Sequence, residues 1–121
     1  MTLPQVIIVL SRCQAAPTQT FGIRLEERTR QDWYATWAFK LPESIATREG
    51  YDRTEVAGSF KLDEDEYPGC PNCGQRGIVL CSNCDKIGCW NVAERTHRCP
   101  WCGSEGPVQG QITRLRAGGD I

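Results

Sequence analysis

The chain has 121 residues, 40% of them hydrophobic and 24% charged, which suits one folded domain and excludes a disordered, collagenous or purely coiled-coil polypeptide. A net charge of −1 excludes a strongly basic nucleic-acid-binding arm, because non-specific phosphate binding needs a concentrated surplus of Lys and Arg. The longest apolar run, Val6 to Leu10, is far short of the roughly 20 residues of a membrane-spanning helix and lacks the basic flank of an export signal, so a cytoplasmic location is expected.

Residues 1–67 read as a β-sheet platform. Gln5 to Leu10 is a continuous β-rich run, and Phe21-Gly-Ile-Arg-Leu-Glu26 alternates with Phe21, Ile23 and Leu25 on one face. Trp33, Ala35, Trp37 and Phe39 alternate against Tyr34, Thr36 and Ala38, which predicts a central strand with a heavily aromatic face. Pro42 suits a helix start and Gly50 a helix end, so Pro42 to Glu49 is expected to be a short helix. Glu55 to Leu62 is read as one further strand, and the acidic run Asp63-Glu-Asp-Glu66 as a solvated loop.

Residues 68–104 form a Cys-rich module. Cys13 stands apart, while Cys70, Cys73, Cys81, Cys84, Cys89, Cys99 and Cys102 fall within 33 residues. In a reducing compartment such clustering favours metal over disulfides, and the two-residue gap within each of three pairs is the spacing of a metal knuckle. A tight turn there aims both sulfurs to one side, while its N–H groups can donate to the thiolates, and Gly74 and Gly103 permit the left-handed backbone that such turns use. Thioredoxin-like redox chemistry lacks its βαβ context, and three pairs are too many for it.

Two Cys-Pro-x-Cys-Gly knuckles, Cys70/Cys73 and Cys99/Cys102, suggest one tetrahedral Zn²⁺ between them. Cys81, Cys84 and Cys89 then supply three thiolates and need a fourth ligand, with His97 and Cys13 the candidates, so one or two ions are expected. The crossed alternative places Cys81 and Cys84 with Cys99 and Cys102, and spacing alone does not separate the two. The simple reading of His97 is an exposed polar residue, and that of Cys13 a small buried thiol at a strand end. Within the module, Gly77 to Leu80 and Lys86 to Trp90 are expected to make a β-ribbon. In 105–121, Val108 to Leu115 offers a terminal strand before a fraying Gly118-Gly119 tail.

The fold class that follows is mainly β, a small α+β arrangement with an antiparallel sheet packed against a zinc-ribbon-like module, in one domain spanning 1–121. A segment of about 35 residues with so few apolar side chains cannot fold alone, whereas structural zinc contributes roughly 10–16 kcal/mol of apparent binding free energy. Metal loss should therefore unfold the C-terminal half. No catalytic motif is present, so no enzyme is expected, with one reservation: a three-thiolate site with a vacant fourth position would permit Lewis-acid chemistry.

The runs Tyr67-Pro-Gly-Cys-Pro-Asn-Cys-Gly74, Cys81-x-x-Cys84-x-Lys-Ile-x-Cys89-Trp90 and Cys99-Pro-Trp-Cys102 resemble the metal-binding domain at the C-terminus of TerY-type tellurite-resistance proteins. Cys13, Phe21-Gly-Ile-Arg24 and Thr36-Trp-Ala-Phe39 extend the resemblance over nearly the whole chain. In that family the domain follows a von Willebrand A module, and its genes accompany a protein kinase and a PP2C-like phosphatase. The chain has no Asp-x-Ser-x-Ser adhesion motif and no room for an A domain, so the resemblance implies an excised or stand-alone domain. It further implies a zinc-stabilised module that binds a kinase, phosphatase or A-domain partner in bacterial stress signalling.

The alternative is a nucleic-acid-binding zinc ribbon using Arg76, Lys86, Arg95, Arg98, Arg114 and Arg116 for phosphates and a Trp for stacking. Thiolate charge erases the small basic excess of residues 70–121, which counts against it. A cross-braced ubiquitin-ligase-like module fits the ligand density but not the expected mixture of Cys and His spacings.

Overall fold

A computed structural model describes residues 5–118. Three long strands, β1 (Val6–Arg12), β2 (Thr20–Thr29) and β3 (Asp32–Lys40), form an antiparallel meander in which Ile7 faces Leu25 and Val9 faces Ile23. These side chains, with Phe21, Trp33 and Ala35, make the main core on the inner face. Each such aliphatic group contributes about 1.5–3 kcal/mol on full burial.

The aromatic face expected of β3 is broken by a bulge. Arg24 pairs with Trp37 but Leu25 pairs with Ala35, leaving Thr36 unopposed. An extra residue reverses the alternation beyond it, so Trp33 and Ala35 point into the core while Trp37 is 53% exposed. Thr36 is buried, and its hydroxyl accepts a hydrogen bond from Arg24 Nη1 at 2.8 Å. Phe39 lies across Gly22 on the outer face, where a Cβ would stand 2.6 Å from its ring.

That outer face is closed by helix α1 (Glu43–Glu49), which begins after Pro42 and ends at left-handed Gly50, φ 74°. The Gly50 N–H bonds the Thr47 carbonyl and the Tyr51 N–H bonds the Ala46 carbonyl, satisfying the last turn. Leu10, Leu41 and Ala46 form the small second core here, with Ile8, Phe39, Tyr51 and Trp101 against it.

The single strand expected over Glu55 to Leu62 is two. Gly58 (φ 153°) separates β4 (Thr54–Ala57) from β5 (Ser59–Leu62), and a side chain at 58 would meet the Gln31 carbonyl oxygen at 2.5 Å. β5 adds to the sheet parallel to β3, whereas β4 pairs antiparallel with β10 (Arg114–Ala117). The ribbon β6 (Gly77–Leu80) and β7 (Ile87–Trp90) forms as expected, and β7 joins β1 in parallel through Ser11↔Ile87 and Arg12↔Gly88. The Cys-rich ribbon thus extends the platform edge to edge. The resulting mixed sheet runs β5-β3-β2-β1-β7-β6, so its middle is β2 and β1 rather than β3.

A short hairpin, β8 (Thr96–Arg98) with β9 (Glu105–Pro107), has no counterpart in the sequence reading. The terminal strand is shorter and later than Val108 to Leu115, because left-handed Gly110 (φ 75°) lies in the span that precedes β10. Gly118 does not fray: its N–H and carbonyl both bond Ile8, at 3.0 and 2.7 Å. Gly119 lies outside the described residues. The mainly β class is what the molecule has, and among the described residues no helix is long and apolar enough to cross a membrane.

Candidate metal centres

The eight thiols gather into two groups of four. Cys13, Cys70, Cys73 and Cys89 form the first and Cys81, Cys84, Cys99 and Cys102 the second, with all sulfurs of a group within 4.8 Å of one another. The closest pairs are Cys73–Cys89 at 3.6 Å, Cys84–Cys99 at 3.6 Å and Cys81–Cys102 at 3.7 Å. A disulfide would need about 2.0 Å. Four sulfurs about 2.3 Å from a central Zn²⁺ stand about 3.8 Å apart, close to these shortest pairs. The donor sets therefore fit a tetrahedral thiophilic ion.

Three Cys-x-x-Cys turns share one backbone design. In each, the N–H of the residue after the second cysteine bonds the carbonyl of the first: Gly74 to Cys70 at 2.8 Å, Asp85 to Cys81 at 2.8 Å, Gly103 to Cys99 at 3.0 Å. A return bond closes each turn, from the N–H of Cys70, Cys81 and Cys99 to the carbonyls of Gln75, Lys86 and Ser104, at 2.8–2.9 Å. The pivots Gly74, Asp85 and Gly103 are all left-handed, with φ of 79°, 59° and 78°. Asp85 thus occupies a place that glycine takes in the other two turns, a departure the sequence did not announce. The Asn72 and Trp101 N–H groups donate to Cys70 Sγ and Cys99 Sγ, both at 3.4 Å, spreading thiolate charge as the spacing predicted.

The remaining two ligands of the first group come from the sheet. Cys13 and Cys89 follow Arg12 and Gly88, which face each other across the parallel β1–β7 pairing, so the same register places their sulfurs at one end. The Gln14 N–H donates to Cys89 Sγ at 3.1 Å. Cys13 thereby completes this site, and its reading as a merely buried thiol at a strand end gives way.

Further expectations are corrected. The like-sequence knuckles Cys70/Cys73 and Cys99/Cys102 do not share a site; the second group is the crossed combination, Cys81 and Cys84 with Cys99 and Cys102. Equal sequence does not imply a common ion, because the sheet register carries Cys70/Cys73 to Cys13 and Cys89 instead. His97 belongs to neither group. It is buried rather than exposed, and the space above Gly88 is so filled that a Cβ there would stand 2.8 Å from Pro100 and 3.4 Å from His97 Nε2. Burial holds the imidazole below its ordinary pKa, opposed by the Cys89 carbonyl. A three-thiolate set of Cys81, Cys84 and Cys89 does not exist, since Cys89 has left it.

The two groups differ in surroundings. Burial pushes the Cys13 thiol up to about 11 and raises Cys89 further. In the second group burial lifts Cys84 to about 12, yet exposed Cys102 is drawn down to about 6 by the Asn83 side chain and the Ser104 N–H. Asn83 Nδ2 lies 3.5 Å from Cys102 Sγ. A cation taking the place of these protons would offset the burial that raises these thiols, by giving their thiolates a partner charge.

Trp101 ties the second group to the sheet. Its indole N–H donates to the Ile87 carbonyl at 2.7 Å, while the Arg12 guanidinium and the Lys86 ammonium stand 4.1 and 4.5 Å from its ring centre. Arg12 also pairs with Glu43 of α1 at 3.4 Å. No protein-family model matches this chain, and no solved structure matches it significantly.

Proposed function

We propose that the protein is a non-enzymatic interaction module whose shape is held by two Zn²⁺ ions, each bound by four cysteines. The observation that carries this reading is the closure of both sets at four thiols. Four protein ligands around each ion leave no open position for substrate or water, and a Zn(Cys)₄ unit carries two negative charges, making it a poor electrophile and a good strut. All eight cysteines are free, which suits a reducing compartment such as the cytoplasm.

The partner we propose is a protein: a kinase, a PP2C-like phosphatase or a von Willebrand A domain, as the resemblance to TerY-type proteins implies. Exposed Trp37 on the outer sheet face supplies the kind of aromatic anchor that protein interfaces favour. Nucleic acid is the weaker reading because three of the basic residues it would need are engaged within the chain. Arg76 donates to the Asp63 and Glu64 carbonyls, Arg114 pairs with Glu55 and Asp85, and Lys86 sits over Trp101.

Native mass spectrometry with elemental analysis tests the metal reading: two zinc ions per chain are expected, and a metal-free, fully ordered chain overturns it. Calorimetric titration of the zinc-loaded protein with each of the three purified partner classes tests the rest. Binding to one of them, lost in Trp37→Ala, is expected; silence toward all three removes the partner assignment.

A further inference from the structure

The two thiol sets differ in what can reach them. Cys102 is exposed, whereas in the first set Cys13, Cys70 and Cys89 are buried and Cys73 is half-buried. The turn that carries Cys102 is also open on one side: nothing stands within 4 Å of the place a Cβ on Gly103, the next residue, would take. Two groups stand beside the exposed sulfur, Asn83 Nδ2 at 3.5 Å and Cys81 Sγ at 3.7 Å, and Cys81 itself is buried.

The chemistry follows from that access. Thiolate is the nucleophilic form of cysteine, and metal ligation holds cysteine in that form. Susceptibility to oxidation rises with thiolate character and exposure, so a small uncharged oxidant meets Cys102 before any buried sulfur. Cys81, shielded from a first attack, is placed to make the second. The first set has a close pair as well, Cys73 and Cys89 at 3.6 Å, but Cys89 is fully buried and no sulfur of that set is exposed. Access, and not sulfur spacing, separates the two.

We propose that Cys102 is an oxidative modification site for hydrogen peroxide, with Cys81 as its resolving thiol, and that the reaction opens the second set while leaving the first closed. The proposal rests on the two-zinc reading above. The Cys102 thiolate attacks one peroxide oxygen; an S–O bond forms, the O–O bond breaks, and hydroxide leaves. The Cys81 thiolate then attacks the Cys102 sulfur, forming the S–S bond and expelling a second hydroxide. Two thiolates together lose two electrons, the peroxide gains them, and both hydroxides take protons from solvent to become water. The sulfurs close from 3.7 Å to about 2.0 Å. Two thiolates then remain where four had closed the set, too few to hold its ion. Reduction by an external dithiol restores all four.

The test uses the full-length, zinc-loaded chain, its metal counted by native mass spectrometry before and after one equivalent of hydrogen peroxide. Loss of one ion is expected, with peptide mapping after denaturing alkylation giving a Cys81–Cys102 disulfide and unmodified thiols at Cys13, Cys70, Cys73 and Cys89. Amide exchange should quicken over residues 81–107 and stay slow in β1–β3, and dithiothreitol with added zinc should reverse both changes. Cys102→His, which offers a ligand that forms no disulfide, should slow release of the second ion by roughly tenfold or more. Should that variant fail to load two ions, the disulfide map of the unsubstituted protein decides. Counting metal before the oxidant separates this proposal from the reading beneath it. A chain that starts without a second ion overturns both. Two ions at the start with neither released, equal release of the two, or a disulfide within the first set overturns the proposal alone.

Discussion

The two thiol groups use the same knuckle and the same four-sulfur set, but they are assembled over different distances along the chain. The second group lies within residues 81–102 and joins two consecutive turns, one of whose sulfurs, Cys102, is exposed. The first draws Cys13 from the end of β1, a knuckle at 70–73 and Cys89 from β7, and three of its four cysteines are buried. A local cross-link restrains a short loop, whereas one between distant segments restrains most of the chain and closes far more of the unfolded ensemble. The first group should therefore govern the whole molecule and the second only its own hairpins.

Cys89→Ser gives the largest expected effect. It should remove one metal and, because zinc contributes roughly 10–16 kcal/mol against about 5–15 kcal/mol of net stability, abolish cooperative unfolding of the sheet as well as the module. Near-ultraviolet circular dichroism and amide exchange would report this. Cys102→Ser should also lower the metal count by one, yet leave slow exchange in β1–β3 intact, with protection lost mainly over residues 81–107. Equal disruption by the two variants would break the comparison.

Smaller substitutions sharpen it at the level of the turns. Gly74→Ala and Gly103→Ala should each cost about 1–2 kcal/mol, the penalty of a left-handed residue with a Cβ, while Asp85→Gly should be neutral or stabilising by a similar amount. Chemical denaturation of the zinc-loaded proteins measures all three. Trp101→Phe removes the bond to the Ile87 carbonyl and should cost about 1 kcal/mol, expressed as faster exchange in the second group's turns rather than in the first's.

The smallest effect belongs to a pair remote from both sites. Hydrogen bonding to Asp32 and its negative charge raise the Lys61 pKa above its ordinary 10.5. A raised folded-state value means the contribution is fully present below pH 10.5 and is lost as pH climbs through the folded value. The stability difference between the parent and Lys61→Met should therefore be flat near neutrality and close in the alkaline range, without change in metal content. With Lys61 exposed and Asp32 only partly buried, the pair should register only weakly.

Much of this was legible in the residues themselves. The seven clustered cysteines, the ribbon around Cys84, the helix between Pro42 and Gly50 and the strands that contain Val6 and Phe21 all follow from spacing and periodicity. The pairing of sulfurs did not, because it depends on a parallel contact between β1 and β7 that no local pattern encodes. Cys13 looked like an ordinary strand-end thiol for that reason. His97 looked like a ligand because it is close in sequence, whereas the space it fills is against Gly88. The bulge at Thr36 and the break at Gly58 escaped notice because alternation is read strand by strand, while both are set by which neighbour the strand must meet.

One practical consequence follows from the register that sets Cys13 beside Cys89. Anyone transplanting the cysteine-dense stretch onto a foreign carrier would move seven sulfurs and leave the eighth behind, delivering one intact cage and one with a missing corner. The shortest stretch that carries both four-sulfur sets runs from Cys13, just past the opening strand, through Cys102.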